Sequence, residues 1–283
     1  MSYNLIRMVI LGLLGWFTAA PAWASGGSEK AFQRGNQLIA DGELRAAAEA
    51  LKTAVLGDLN NQDYLRQFMA TRQALKYQMI IESRQTSPHW DEAADGLSLY
   101  YRSQGHHDQA LPVDEAIYQK RQTTDAAVQL AETLLAVDQS QRAADLLDTL
   151  SSERRTPASE SLRSVALARQ GDLEQARHIA SALHIAPSAD AFTLYVAARA
   201  QAAIGEDTLA LNTLKRCYQS VPPSRLTALK SYTKSCSDFT DLVSTEAFVQ
   251  VLRTESRVPE SKCSGGSSCG SCPMRGKCSH GSK

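Results

Sequence analysis

The sequence predicts an all-α fold of repeated helical hairpins, and three observations predict it. Turn residues recur at Gly42, Gly105, Asp138, Gly171 and Gly205; the last four are spaced 33, 33 and 34 residues apart, after a first gap of 63 that leaves room for one degenerate copy. An alanine stands five residues beyond each turn, as Ala47, Ala110, Ala143, Ala176 and Ala210. In the first hairpin, Gly35 precedes the turn by seven residues and Ala54 follows Ala47 by seven, so small side chains stand where two antiparallel helices must meet closely.

Taken in order, the chain opens with Arg7 as its only early charge and an apolar run from Met8 to Ala20. That run is short for a bilayer span and closes on Ala22-Trp23-Ala24, a small-x-small cleavage pattern, so residues 1–24 are expected to be a secretory signal peptide. The twin-arginine pattern is missing, and no cysteine follows the run as lipid attachment would require. The expectation is an exported, periplasmic protein with no transmembrane segment after signal removal.

The stretch GNQLIADGELRAAAEALKTAV, residues 35–55, is the first complete hairpin, and QGDLEQARHIASAL and IGEDTLALNTLKRC repeat its second half. This spacing resembles the tetratricopeptide repeat, a helical hairpin of about 34 residues. The resemblance covers roughly residues 28–220, and residues 25–220 are assigned to the repeats. It implies a right-handed superhelical solenoid whose first helices line a concave groove. The segment from Tyr64 to Ser83 fills the degenerate copy: Tyr64, Phe68, Leu75 and Met79 share a helical face, and with no turn between them a long or irregular helix is expected before Thr86-Ser87-Pro88 breaks it. Residues 221–257 read as capping helices, with Phe239, Leu242, Phe248 and Leu252 covering the last repeat.

By the resemblance, the groove takes a protein or peptide partner, and transfer of the register places Asn36, Leu99, Arg102, Glu132, Phe192, Tyr195 and Arg199 on it. Phe192 and Tyr195 beside Arg199 are side chains that anchor interfaces, or else aromatics packed between neighbouring repeats. One subfamily grips a terminal carboxylate with lysine and asparagine; here Phe32 stands where the first lysine would be, so that ligand class is not expected. Lys+Arg and Asp+Glu are 30 each, which removes the electrostatic footprint of a nucleic-acid partner.

Enzymatic chemistry finds little footing. His106-His107-Asp108 falls at a turn, and adjacent histidines do not face one another on a helix. His178 and His184 are six residues apart, on different faces of a helix. No Gly-rich phosphate loop, HExxH or GxSxG occurs, so the chain is expected to be a scaffold without a catalytic site.

The tail, residues 258–283, has too few apolar side chains to offset its ordering entropy and is expected to be flexible. Cys263, Cys269, Cys272 and Cys278 follow the spacing C-x5-C-x2-C-x5-C, with Met274 and His280 close by. Four thiolates and a thioether suit a soft ion, with Cu(I) favoured and zinc second. Lys262, Arg275, Lys277 and Lys283 raise the thiolate fraction. Two disulfides without metal are the alternative, and thiol–disulfide exchange through CGSC is a third. Haem attachment is excluded because Pro273 follows Cys272 where a histidine is needed. Cys217 and Cys236 fall on consecutive expected helices, where they either form a disulfide between the last repeat and its cap or remain buried thiols.

Overall fold

The computed structural model describes residues 22–83 and 87–259. Among the described residues the secondary structure is helical throughout, with fourteen α-helices, two short 3-10 turns and no strand. The chain divides into two compact units at Ala126/Ala127. The signal-peptide reading rests largely on residues 1–21, and the tail sulfurs, Met274 and His280 all follow Pro259, so these lie outside the described residues.

The first unit holds α1 (Ala22–Ala40), α2 (Leu44–Gly57), the 22-residue α3 (Gln62–Ser83), α4 (Trp90–Ser103) and α5 (His107–Arg121). Successive helices pack in pairs: α1 on α2, α2 on α3, α3 on α4 and α4 on α5. Their core gathers Ile39, Leu44, Ala47, Leu51, Ala74, Leu97, Tyr100, Tyr101 and Ala110. Helix α3 is the expected long helix, but its buried stripe runs through Tyr64, Thr71 and Ala74, with Phe68 and Leu75 against the core, while Met79 is exposed. At 100° per residue, fifteen positions carry Met79 about 60° off the stripe that Tyr64 begins. Thr71 belongs to that stripe because its hydroxyl is satisfied by Gln67 O at 2.8 Å and by the Tyr100 hydroxyl at 2.8 Å.

Helix α6 (Thr124–Ala136) crosses the division, and the second unit continues with α7 (Ser140–Asp148), α8 (Pro157–Arg169), α9 (Leu173–Ala182), α10 (Ala191–Ala203) and α11 (Asp207–Ser220). Helix α8 packs on α7, α9 and α10, and α10 on α9 and α11, so each hairpin meets the next through its first helix. Thr156 and Asp190 cap the starts of α8 and α10 by accepting from the backbone N–H three residues on.

The five turn residues carry one geometry. Gly42, Gly105, Gly171 and Gly205 have φ between 78° and 89°, and Asp138 has φ 58°. Each takes the left-handed conformation that ends a helix, donating to the carbonyl three residues back, while the following residue donates to the carbonyl five residues back: Glu43 to Leu38, His106 to Tyr101, Gln139 to Leu134, Asp172 to Leu167 and Glu206 to Gln201, all at 2.8–3.0 Å. That same following residue starts the next helix by accepting from the alanine four positions later. All five of these alanines are fully buried. In the first hairpin the helices approach closely at Gly35, where an added Cβ would lie 2.6 Å from Leu51 Cγ.

The remaining residues form α12 (Pro223–Ser235), a 3-10 turn (Ser237–Phe239), α13 (Thr240–Val243) and α14 (Glu246–Leu252). They pack on the last hairpin through α14 on α11 and the 3-10 turn on α10. Phe239, Leu242 and Phe248 are buried as expected of a cap, and Val251 takes the place foreseen for Leu252, which is half-buried.

Candidate functional site

In the second unit, side chains from the first helices of the hairpins converge on the segment after α12. Arg199 of α10 donates from Nε to Asp238 Oδ2 at 2.7 Å, and Arg169 of α8 donates from Nε to Asp238 Oδ1 at 2.8 Å. Arg169 also reaches Leu135 O on α6 at 2.6 Å and Ser237 Oγ at 2.8 Å. The Cys236 thiol donates to Asp238 Oδ2 at 3.6 Å, so Cys236 and Arg199 meet on one oxygen. Tyr195 lies 5.7 Å from Tyr232 and 6.1 Å from Phe239, ring centre to ring centre.

The electrostatics follow from this enclosure. Burial raises the pKa of a carboxyl, but Arg199 and then Arg169 outweigh it at Asp238, which is held below its ordinary value. Burial works against the charge on Arg199, and Asp238 more than restores it. Burial pushes Tyr232 up to about 12 and raises Tyr195 well above its usual value, with Cys236 adding to the rise at Tyr195. Asp238 thus supplies one carboxylate to two guanidiniums, and Arg199 Nη1, also buried, has no hydrogen-bond acceptor among the described residues.

This geometry corrects part of the groove expectation. Tyr195 and Arg199 do share a face, and Glu132 of α6 is close enough to raise the pKa of Tyr232. Yet Tyr195 and Arg199 are buried, because the C-terminal segment of the same chain lies over them. Phe192, at the start of α10, remains exposed. In the first unit the face is open at Leu99, whose exposure is 61%, and half-open at Asn36 and Arg102. Phe32 packs on Tyr64 with ring centres 4.7 Å apart, and Tyr64 donates to Glu29 at 2.7 Å, which accounts for an aromatic at that position.

Cys217 and Cys236 are both free thiols, so the disulfide outcome does not occur in the structure. Cys217 sits at the small, alanine-like position of α11 and donates to Ala191 O at 3.2 Å, while Cys236 turns to Asp238. Burial pushes Cys217 up to about 12 and also raises Cys236. His106 is half-buried at the start of α5, and burial lowers its pKa. His178 is on α9 and His184 in the loop beyond it. No group of three or more His, Cys, Asp or Glu able to hold a metal occurs among the described residues. None of the described helices is long and apolar enough to cross a membrane.

The Arg169–Asp238–Arg199 junction was not foreseen. Its only trace in the sequence is a lone Asp238 between Ser237 and Phe239, a pattern too common to single out. No protein-family model matches the chain, and no curated protein matches it.

Proposed function

We propose that this chain is an exported interaction scaffold of the tetratricopeptide type, without catalytic activity, that offers the first-helix face of its hairpins to a protein or peptide partner. The observation that carries this reading is the recurrence of one turn geometry at Gly42, Gly105, Asp138, Gly171 and Gly205, each followed five residues later by a fully buried alanine. A repeat built this way presents the same register position from hairpin to hairpin, which suits extended recognition more than a single pocket. Leu99 is the large apolar side chain this register leaves uncovered in the first unit, and uncovered apolar groups at a shared register are what partners bury.

The tail completes the proposal. Cys263, Cys269, Cys272 and Cys278, with Met274 or His280 for ligand exchange, would hold a soft ion, Cu(I) ahead of zinc, beside whatever the repeats bind. Native intact mass of the mature protein, isolated without reductant, tests this half. A metal adduct that vanishes when all four tail cysteines become serine supports it. An apo mass lacking the hydrogens of two cystines replaces it with a disulfide-closed tail.

A further inference from the structure

The register position six residues before each turn is occupied by Asn36, Leu99, Glu132, Val165 and Arg199. It is open at Leu99 and sealed at Arg199, and the residues over Arg199 belong to the chain's own C-terminal segment. That segment occupies the place on the second unit where a partner would sit.

Three features make it a poor permanent cover. Asp238 serves both guanidiniums, with only the exposed Asp138 at 3.8 Å from Arg169 as a second carboxylate, and Arg199 Nη1 is buried without an acceptor, an arrangement that leaves a desolvated donor unrewarded. Residues 222–259 bury only Leu226, Thr233, Phe239, Leu242, Phe248 and Val251, whereas α10 alone buries every residue from Leu194 to Gln201. Elements with few buried contacts open at the least cost. A tethered ligand also needs little affinity of its own, because its effective concentration is on the order of millimolar.

We propose that Cys236–Phe239 is a built-in ligand that holds this face of the second unit closed, and that the face takes a peptide carrying two neighbouring carboxylates beside an aromatic side chain. This rests on the scaffold reading and names its partner class. One carboxylate would go to each of Arg169 and Arg199, so that Arg199 no longer shares its carboxylate and its Nη1 gains an acceptor, and the aromatic ring would replace Phe239 against Tyr195.

The test uses the full chain and a fluorescein-labelled peptide, Ser-Asp-Asp-Phe-Thr. Anisotropy should show Asp238→Asn binding the peptide at least about 10-fold more tightly than wild type, since the internal competitor is weakened. Adding Arg199→Met to Asp238→Asn should remove that gain. Equal affinity of wild type and Asp238→Asn at unchanged helix content overturns the proposal, as does a gain that survives Arg199→Met. Hydrogen exchange of the wild type keeps the question decidable if Asp238→Asn fails to fold. Excess peptide should speed exchange at residues 236–243 by about 10-fold and leave α1–α5 unchanged, and an unaltered rate at 236–243 overturns the latch. Either failure leaves the scaffold reading standing, because that reading is tested through Leu99 in the first unit.

Discussion

The Arg199 guanidinium and the Asp238 carboxylate, 39 positions apart, meet at 2.7 Å with 3% and 2% of their side chains exposed. Burying such a pair costs desolvation that its attraction only partly repays, so its value lies in where it fixes the C-terminal segment. Removing one partner is a different matter. Asp238→Ala leaves the enclosed Arg199 guanidinium without a counter-charge, while Arg169 keeps only the exposed Asp138 at 3.8 Å, and is expected to cost about 3–5 kcal/mol, read as a lower urea midpoint of the second unit. A loss under 1 kcal/mol would mean the junction is already solvated.

The same pair sets a pH dependence. Asp238 has a lower pKa folded than unfolded, so its contribution is fully present above the ordinary carboxylate range and is lost as pH falls through the folded value. Exchange at residues 236–243, corrected for intrinsic rates, should stay slow from pH 7 to pH 5 and accelerate below about pH 4. A flat profile down to pH 2 would contradict this.

The turns give the cleanest backbone test. Nothing lies within 4 Å of a Cβ placed on Gly171, so Gly171→Ala should lose only the left-handed backbone preference, about 1–2 kcal/mol. Asp138 already bears that strain at φ 58°, and Asp138→Gly should gain about 0.5–1 kcal/mol. A loss at Gly171 and a gain at Asp138 in chemical denaturation would show that the two sites share one conformation. Indifference at both would show that they do not.

Gly35 tests helix contact in the first unit. Gly35→Ala drives a methyl against Leu51 Cγ and should cost about 1–3 kcal/mol, and the double variant with Leu51→Ala should lose less than the sum of the two single losses. Additive losses would place the strain elsewhere.

Thiol labelling separates the two described cysteines. Cys217, fully buried and pushed up to about 12, should resist iodoacetamide at pH 8 until the chain unfolds. Cys236 is partly exposed but also raised by burial, so it should label slowly in the native state and faster in Asp238→Ala. Rapid native labelling of Cys217 would mean that α11 does not pack as described.

Much of the hairpin architecture was legible in the sequence, because turn chemistry is local. A left-handed helix end selects glycine, and a close helix crossing selects alanine, so Gly42 through Gly205 and their alanines reveal the register without any knowledge of contacts. Thr71 is not singled out by the sequence, and Met79, expected on the face of Tyr64, is exposed, since a half-buried helix has a weak periodicity that one satisfied hydroxyl can rotate. The groove expectation leaves Tyr195 and Arg199 open; what covers them is residues 232–239, whose pairing with α8 and α10 spans up to 69 positions and leaves no local mark. Cys217 and Cys236 illustrate the same limit: consecutive helices bring two thiols near in sequence order without aiming them at each other.

The most direct test of the scaffold is in-cell photo-crosslinking from position 99, with Leu56 of α2, at least as exposed, as the control site. The account predicts a discrete crosslinked product from position 99 that is absent from position 56 and lost when the partner's binding is blocked by Arg102→Glu. The same product from both positions, or none from position 99, would contradict the claim that this face of the repeats is where the protein meets its partner.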